Sequence, residues 1–335
     1  MTDDLKKESI PLSRDNEDDF SLRPRRLDDF IGQEKVCSNL HVYIQASRNR
    51  NEALDHVLLY GSPGLGKTTL ATIIANEMDA NIRYLSGPIL TRPGDVASVL
   101  TSLISHDVIF IDEIHRLPKP CEEILYSAME DFSLDVLIGK GPGARTIRIS
   151  LPPFTLVGAT TRLSLLSAPL RNRFGITEKL DYYDDSDLST IIQRSASVMN
   201  ISIEKDASLE VARRSRGTPR IANRILKRIR DFAQYYRRTT IDFPLVQESL
   251  ECLEIDRMGL TKMDRMLLKI LIDHYHGGPV GINNLAMMLG EEASTVEEVY
   301  EPFLIKIGFL IRTPRGRMIT PRGHSYLRGG DLFES

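Results

Sequence analysis

The chain has 335 residues with 43 basic and 46 acidic side chains, a net charge of -3. That length allows two or three domains, and the balance excludes a generally basic nucleic-acid coat, so any DNA or RNA binding must come from a local patch. The three cysteines, Cys37, Cys121 and Cys252, are far apart with no CxxC pair, which argues against a disulfide framework and a zinc cluster. A polar, acidic start and the lack of a long apolar run argue against secretion and membrane insertion, so a reducing, cytoplasmic setting is expected.

Residues 1–20 are rich in Asp, Glu, Lys and Ser and read as a disordered tail. From 21 to 183, apolar runs at 56–60, 81–86, 107–111 and 154–159 alternate with helical stretches, the pattern of a parallel sheet with crossover helices. Between the first run and the helix-forming stretch Thr69 to Met78 lies Gly61-Ser62-Pro63-Gly64-Leu65-Gly66-Lys67-Thr68, a full P-loop pattern. Its glycines let backbone N–H groups close around phosphate oxygens and feed the positive end of a helix toward them. Lys67 is placed to reach the β and γ phosphates of a nucleotide, and the Thr68 hydroxyl to join a Mg²⁺ shell. A glycine-rich turn that merely joins a strand to a helix is the plain alternative, and Gly64, Gly66, Lys67 and Thr68 together weigh against it.

The third run, Asp107 to Glu113, ends in two carboxylates where a buried parallel strand delivers side chains to a phosphate site. Asp112 is expected to hold Mg²⁺ through its water shell and Glu113 to polarise the attacking water. The string continues as DEIH, which superficially suggests a helicase built from two RecA-like domains; His115 could equally lie in the helix that follows. Leu134 to Gly139 and Ala144 to Ser150 flank the turn-rich Lys140-Gly141-Pro142-Gly143, so an insertion at about 133–150 reads as a β-hairpin. Its apolar residues Leu134, Val136, Leu137, Ile138, Ile147 and Ile149 either pack on the parent domain or meet a partner. Phe154 to Thr161 ends in Gly158-Ala159-Thr160-Thr161, which brings one threonine hydroxyl, taken as that of Thr161, beside Glu113. Leu170-Arg171-Asn172-Arg173-Phe174-Gly175 follows, with surface ion pairs as the plain reading of its arginines.

Residues 184–255 lose the strand signal and show helical periodicity, a small all-helical domain. Within it Gly217-Thr218-Pro219-Arg220 opens a helix, with Thr218 suited to the N-cap and Pro219 to the first turn, so that Arg220 projects from that turn. Residues 256–335 read as a winged helix. Asn283 to Leu289 is its first recognition-motif helix, Gly290 breaks it, and Ser294-Thr295-Val296-Glu297 has the form of a capping box for the next. Gly308 to Arg312 and Arg317 to Thr320 are the expected wing strands. Glu297, Glu298 and Glu301 on the second helix would repel phosphates, whereas Arg312, Arg315 and Arg317 suit backbone contacts that position a protein without reading bases.

This ordered set of motifs, from the P-loop to Arg220, resembles the AAA+ ATPases. The resemblance implies an α/β P-loop NTPase domain with a parallel sheet core, a small helical lid domain and, here, a C-terminal winged-helix domain. By it, ATP and Mg²⁺ are the expected cofactors, Thr161 is sensor 1, Arg173 is an arginine finger acting on a neighbouring subunit, and Arg220 is sensor 2. The lead-in Leu22 to Gln33 would wrap the adenine, so that Leu22, Arg23, Ile31 and Tyr183 join Gly64, Gly66, Lys67, Thr68 and Thr69 around the nucleotide.

The hairpin insertion and the strings GGPVGINNLA and GFLIRTPRGRMIT are more specific, and resemble the bacterial motors that drive Holliday-junction branch migration. That implies a homohexameric ring around duplex DNA, with RuvA docked on the hairpin, RuvC joining a resolvasome, and Arg312, Arg315 and Arg317 on the DNA backbone. One departure is Ala293, where an arginine is expected after Gly290-Glu291-Glu292. An ATP-dependent DNA clamp and a clamp-loader subunit are the rival readings. Glu113 with Arg173 favours turnover over a clamp, and the acidic helix disfavours a site-specific reader.

Overall fold

A computed structural model describes residues 22–138 and 145–329, so the expected tail and the hairpin tip lie outside the described residues. The chain divides between Tyr183 and Asp184 into two compact units. No described helix is long and apolar enough to cross a membrane.

The first unit runs α1 (Glu34–Arg50), β1 (Val57–Tyr60), α2 (Lys67–Glu77), β2 (Ile82–Ser86), α3 (Pro93–Thr101), β3 (Val108–Asp112), α4 (Lys119–Asp131), β4 (Ser133–Ile138), β5 (Arg145–Ser150), β6 (Thr155–Thr160), α5 (Ala168–Arg171) and β7 (Ile176–Lys179). Five parallel strands form one sheet in the order β2-β3-β6-β1-β7. The central β6 is buried along its whole length, as a strand covered on both faces must be, which is why it reads as a continuous apolar run. The edge strand β7 is not among the expected strands: only Ile176 of its four residues is buried, leaving no apolar run to see. Pairing sets Tyr60 opposite Thr160 and Ile111 opposite Gly158, so the carboxyl ends of β1, β3 and β6 share one edge. At that edge the Gly61 N–H donates to the Thr160 carbonyl at 3.2 Å.

The hairpin β4-β5 pairs over six residues on each side, Ser133 with Ser150 through Ile138 with Arg145. Of its apolar residues, Leu134, Ile147 and Ile149 have described side chains. Leu134 is buried in the core of the parent domain, whereas Ile147 and Ile149 are 48% and 37% exposed.

The second unit begins with α6 (Asp185–Val198), β8 (Ser202–Ile203), α7 (Lys205–Arg214), α8 (Pro219–Tyr235), β9 (Thr240–Ile241) and α9 (Phe243–Cys252). It is not wholly helical: β8 and β9 pair in parallel, over two residues each, too short to register as strand periodicity. The winged helix follows as α10 (Lys262–Tyr275), α11 (Ile282–Leu289), α12 (Ala293–Thr295) continuing through a π turn (Val296–Tyr300) into α13 (Glu301–Lys306), the wing β10 (Leu310–Thr313) and β11 (Gly316–Ile319), and α14 (Pro321–Arg328). Its core gathers Leu267, Leu268, Leu271, Leu285, Leu304 and Phe309. The capping box expected at Ser294 does not form. The helix already starts at Ala293 after Glu292, so Ser294 and Thr295 are helical, and the Ser294 hydroxyl donates to Glu292 at 3.3 Å instead.

Within this unit the loop before α8 is pinned to the winged helix by Arg216. Its guanidinium donates to the buried Asp264 at 2.5 Å and to the Gly259 carbonyl at 2.8 Å, and lies 4.6 Å over the Phe303 ring. Lys306 donates back to the Arg216 carbonyl at 3.0 Å.

Candidate functional site

The P-loop leaves β1 with Gly61, Gly64 and Gly66 at φ 144°, 81° and 105°, a conformation in which side chains are strained. Gly66 caps α2 with no side-chain hydrogen bond to the first turn, so the turn presents its N–H groups at the end of an 11-residue helix. Lys67 is buried, its ammonium donating to the Gly61 and Ser62 carbonyls at 2.8 and 2.9 Å. Gly66 also marks a close approach: a Cβ there would lie 3.0 Å from the Phe30 ring and 3.7 Å from the Tyr183 hydroxyl. This is a built cradle that fits a nucleotide's phosphates. Thr68 and Thr69, half-buried, follow on α2.

The lead-in and the end of the first unit converge on the loop. Tyr183, buried, donates its hydroxyl to the Leu65 carbonyl at 3.2 Å, and the Ser62 hydroxyl donates to Tyr182 at 2.8 Å. The Gln33 side chain and the Asp181 backbone exchange two hydrogen bonds, at 2.6 and 3.1 Å. Phe30, Gln33 and Tyr182 were not singled out from the sequence; Phe30 is the one aromatic of a motif-like loop, which is the signal available. Leu22 is buried, and Arg23 and Ile31 are half-buried.

At the same sheet edge, β3 delivers Asp112 and Glu113. Glu113 takes a left-handed φ of 49° and its N–H donates to Asp112 Oδ1 at 2.9 Å. Thr161 donates to Glu113 Oε2 at 3.2 Å, which places it as the sequence suggests. His115 lies in a short 3₁₀ turn, with Nδ1 3.1 Å from Glu113 Oε2 and 2.9 Å from the Thr160 hydroxyl. Thr160 is buried and its oxygen also accepts from the Arg162 N–H. Both threonines therefore reach Glu113, Thr161 directly and Thr160 through His115. Thr68 and Asp112 offer hard oxygens, the donor type Mg²⁺ prefers.

Arg173 follows α5 between two buried residues, Leu170 and Phe174. Arg220 lies in the first turn of α8, whose N-cap is Thr218 with its hydroxyl accepting from the Ile221 N–H, as expected. In the wing, Arg312 and Arg317 stand opposite each other across β10 and β11, with Pro314 and Arg315 at the turn. The acidic helix does not simply repel phosphates. Glu301 is fully buried and accepts from Arg312 at 2.7 Å and Arg317 at 2.6 Å, and Glu297 lies within 3.4 and 3.6 Å of the same two. Arg312 stays 44% exposed and Arg317 only 15%. Arg315 is exposed, and Ala293 is half-buried in the packing beside α11.

A P-loop between β1 and α2, paired carboxylates at the end of β3, a sensor strand between them in the sheet, a lid and a winged helix define a P-loop ATPase of the AAA+ class. Family models described as the Holliday junction DNA helicase RuvB P-loop domain, the RuvB AAA lid domain and the RuvB C-terminal winged helix domain match residues 22–180, 183–256 and 257–328. The solved structure of the Thermotoga maritima RuvB Holliday junction branch migration motor is 52% identical with a TM-score of 0.84, covering 92% of this chain and 98% of that one. Two point variants of the Thermotoga protein match at the same identity and TM-score, covering 92% and 91% of this chain and 98% of theirs. The chain belongs to the RuvB family.

Proposed function

We propose that the chain is an ATP-driven motor that moves duplex DNA and so migrates the branch point of Holliday junctions in recombination and repair, working in the bacterial cytoplasm as a homohexameric ring. The observation that carries this reading is the 52% identity to the Thermotoga motor across 92% of the chain. RuvA docks on the β4-β5 hairpin, where Ile147 and Ile149 are exposed, and RuvC joins the assembly at the junction.

In this reading ATP is held by the P-loop, with Lys67 moving from the carbonyls of its own loop to the β and γ phosphates and Gly64, Gly66, Thr68 and Thr69 supplying N–H donors. Leu22, Arg23, Ile31 and Tyr183 enclose the base. Thr68 and Asp112 would hold Mg²⁺, which would supply charge neutralisation at the phosphates. Glu113 accepts a proton from the attacking water, and the Thr161 hydroxyl fixes the carboxylate that does so. Arg220, in the first turn of α8, is the sensor 2 arginine of this reading. Arg173 of the neighbouring subunit spreads the charge that develops on the transferred phosphoryl group, which makes hydrolysis a property of the ring. Arg312, Arg315 and Arg317 contact the DNA backbone, with the buried Glu301 carboxylate shared between Arg312 and Arg317 and holding both on the wing.

The test of the finger is Arg173→Ala. Mixed in equal amounts with Glu113→Gln subunits, it is expected to turn over ATP well above the mean of the two pure proteins, because a subunit without the finger still offers an intact site to its neighbour's arginine; no gain means that the arginine does not act across subunits.

A further inference from the structure

Arg173 rests on a platform that belongs to its own subunit. Its Nη1 donates to the Pro169 carbonyl at 2.8 Å, its Nη2 to Glu130 at 2.8 Å and its Nε to the Tyr126 carbonyl at 3.3 Å, while the guanidinium lies 4.6 Å over the Tyr126 ring. The ring is itself fixed. The Tyr126 hydroxyl donates to Glu122 Oε2 at 3.0 Å, and the Ser167 hydroxyl donates to the same oxygen at 2.6 Å. Ser167 is also the N-cap of α5, accepting from the Leu170 N–H at 3.4 Å. One carboxylate oxygen thus ties the helix that carries the ring to the helix that leads into the arginine.

Glu122 is buried, and a buried carboxylate is costly unless hydrogen-bonded. Filling space between α4 and α5 needs only an apolar side chain, so the carboxylate and two hydroxyls are better explained by the direction they impose. Burial pushes the Tyr126 phenol above its ordinary value, with the Ser167 contact opposing and Glu122 adding, so it stays protonated as a donor. Glu130 differs in kind. It is 62% exposed, and an exposed ion pair is worth only about 0–1 kcal/mol, so a phosphate can displace it. Stacking on Tyr126 leaves the edge of the guanidinium open and survives that exchange.

We propose that Tyr126 is a positioning residue for Arg173: its ring, locked by Glu122 and Ser167, aims the guanidinium at ATP bound by the neighbouring subunit. This rests on the finger role proposed above, and the two can be separated by complementation between full-length variants. A subunit with a misaimed finger damages its neighbour's site and leaves its own intact, whereas Glu113→Gln damages only its own site.

Tyr126→Leu is expected to lower kcat about tenfold with KM for ATP within about twofold, the size of a lost cation–π contact. Tyr126→Phe keeps the ring but loses the hydroxyl that locks it, and is expected to lower kcat about threefold, less than Tyr126→Leu. An equal mixture of Tyr126→Leu and Glu113→Gln is expected to turn over ATP about fivefold faster than the mean of the two pure proteins, for random mixing of independent sites. No gain in that mixture, while Arg173→Ala does complement Glu113→Gln, overturns the role of Tyr126; no gain with Arg173→Ala overturns the finger instead. Should Tyr126→Leu not assemble, Glu122→Gln carries the same comparison. Its expected loss of about threefold in kcat must also be recovered by Glu113→Gln subunits, and an unrecovered loss contradicts the proposal.

Discussion

Glu113 is the residue on which hydrolysis is proposed to turn, and its backbone is unusual for its type. A left-handed φ of 49° costs a non-glycine residue of order 1 kcal/mol or more, and such strain persists where neighbours fix it. Here the neighbours are the Asp112 carboxylate on its N–H, and Thr161 and His115 on its side chain. Replacing it with glutamine preserves the shape and the hydrogen bond from Thr161 but removes the proton acceptor. Glu113→Gln is therefore expected to bind ATP within a few-fold of wild type while turnover falls by about 10²–10⁴. Equilibrium binding of a fluorescent ATP analogue alongside steady-state hydrolysis measures both, and wild-type turnover removes the assignment. Asp112, Glu113 and Thr161 were readable because each closes an apolar run. His115 was not assigned, since DEIH leaves open a helicase-type motif or a place in the following helix; it lies in a 3₁₀ turn with Nδ1 3.1 Å from Glu113.

At the scale of elements, the wing and its facing helix behave as one ion-paired object. The sequence shows arginines on the wing and glutamates on the helix but not their pairing, because Glu301 meets Arg317 only after the chain has folded back across β10 and β11. Removing one partner of a buried pair usually costs about 3–5 kcal/mol, so Glu301→Ala is expected to destabilise the winged helix on that scale in urea unfolding followed by circular dichroism. The same variant frees positive charge, and the slope of log K for duplex DNA against log salt is expected to steepen by about one. A slope unchanged or shallower means that Arg312 and Arg317 do not face the phosphates.

The sheet carries a second element-scale prediction through His56 at the head of β1. Its Nδ1 accepts from the Leu156 N–H at 2.9 Å, which leaves Nε2 to donate to the Met129 carbonyl at 3.1 Å, so the ring is neutral. Burial pushes its pKa below the ordinary 6.5, against smaller opposing contributions from Met129 and Asp55. The unfolded chain then takes up this proton first as pH falls. His56 should leave stability flat above about pH 6.5 and erode it progressively below, down to the lowered folded value. Urea midpoints between pH 8 and 5 check this: the decline below about 6.5 should be shallower in His56→Gln than in wild type, and equal slopes contradict it.

For the whole molecule, domain order was legible because each of the three matched regions carries its own motif: the P-loop after β1, GTPR opening α8, the arginine-rich turn between β10 and β11. What was not legible depends on distant segments meeting. Phe30 and Tyr183 beside Gly66, Arg216 bridging the α8 loop to Asp264, and Arg173 seated on Tyr126 each join positions 36 or more residues apart. Periodicity and local motifs carry no trace of such pairs. The central claim, that this chain spends ATP to move DNA at a junction, is tested most directly by ATP-dependent dissociation of a synthetic four-way junction with and without RuvA. Dissociation that requires ATP, is strengthened by RuvA and is lost in Glu113→Gln is the expected result. Intact ATP hydrolysis with no movement of the junction in either case would contradict the motor and leave an ATP-dependent DNA clamp.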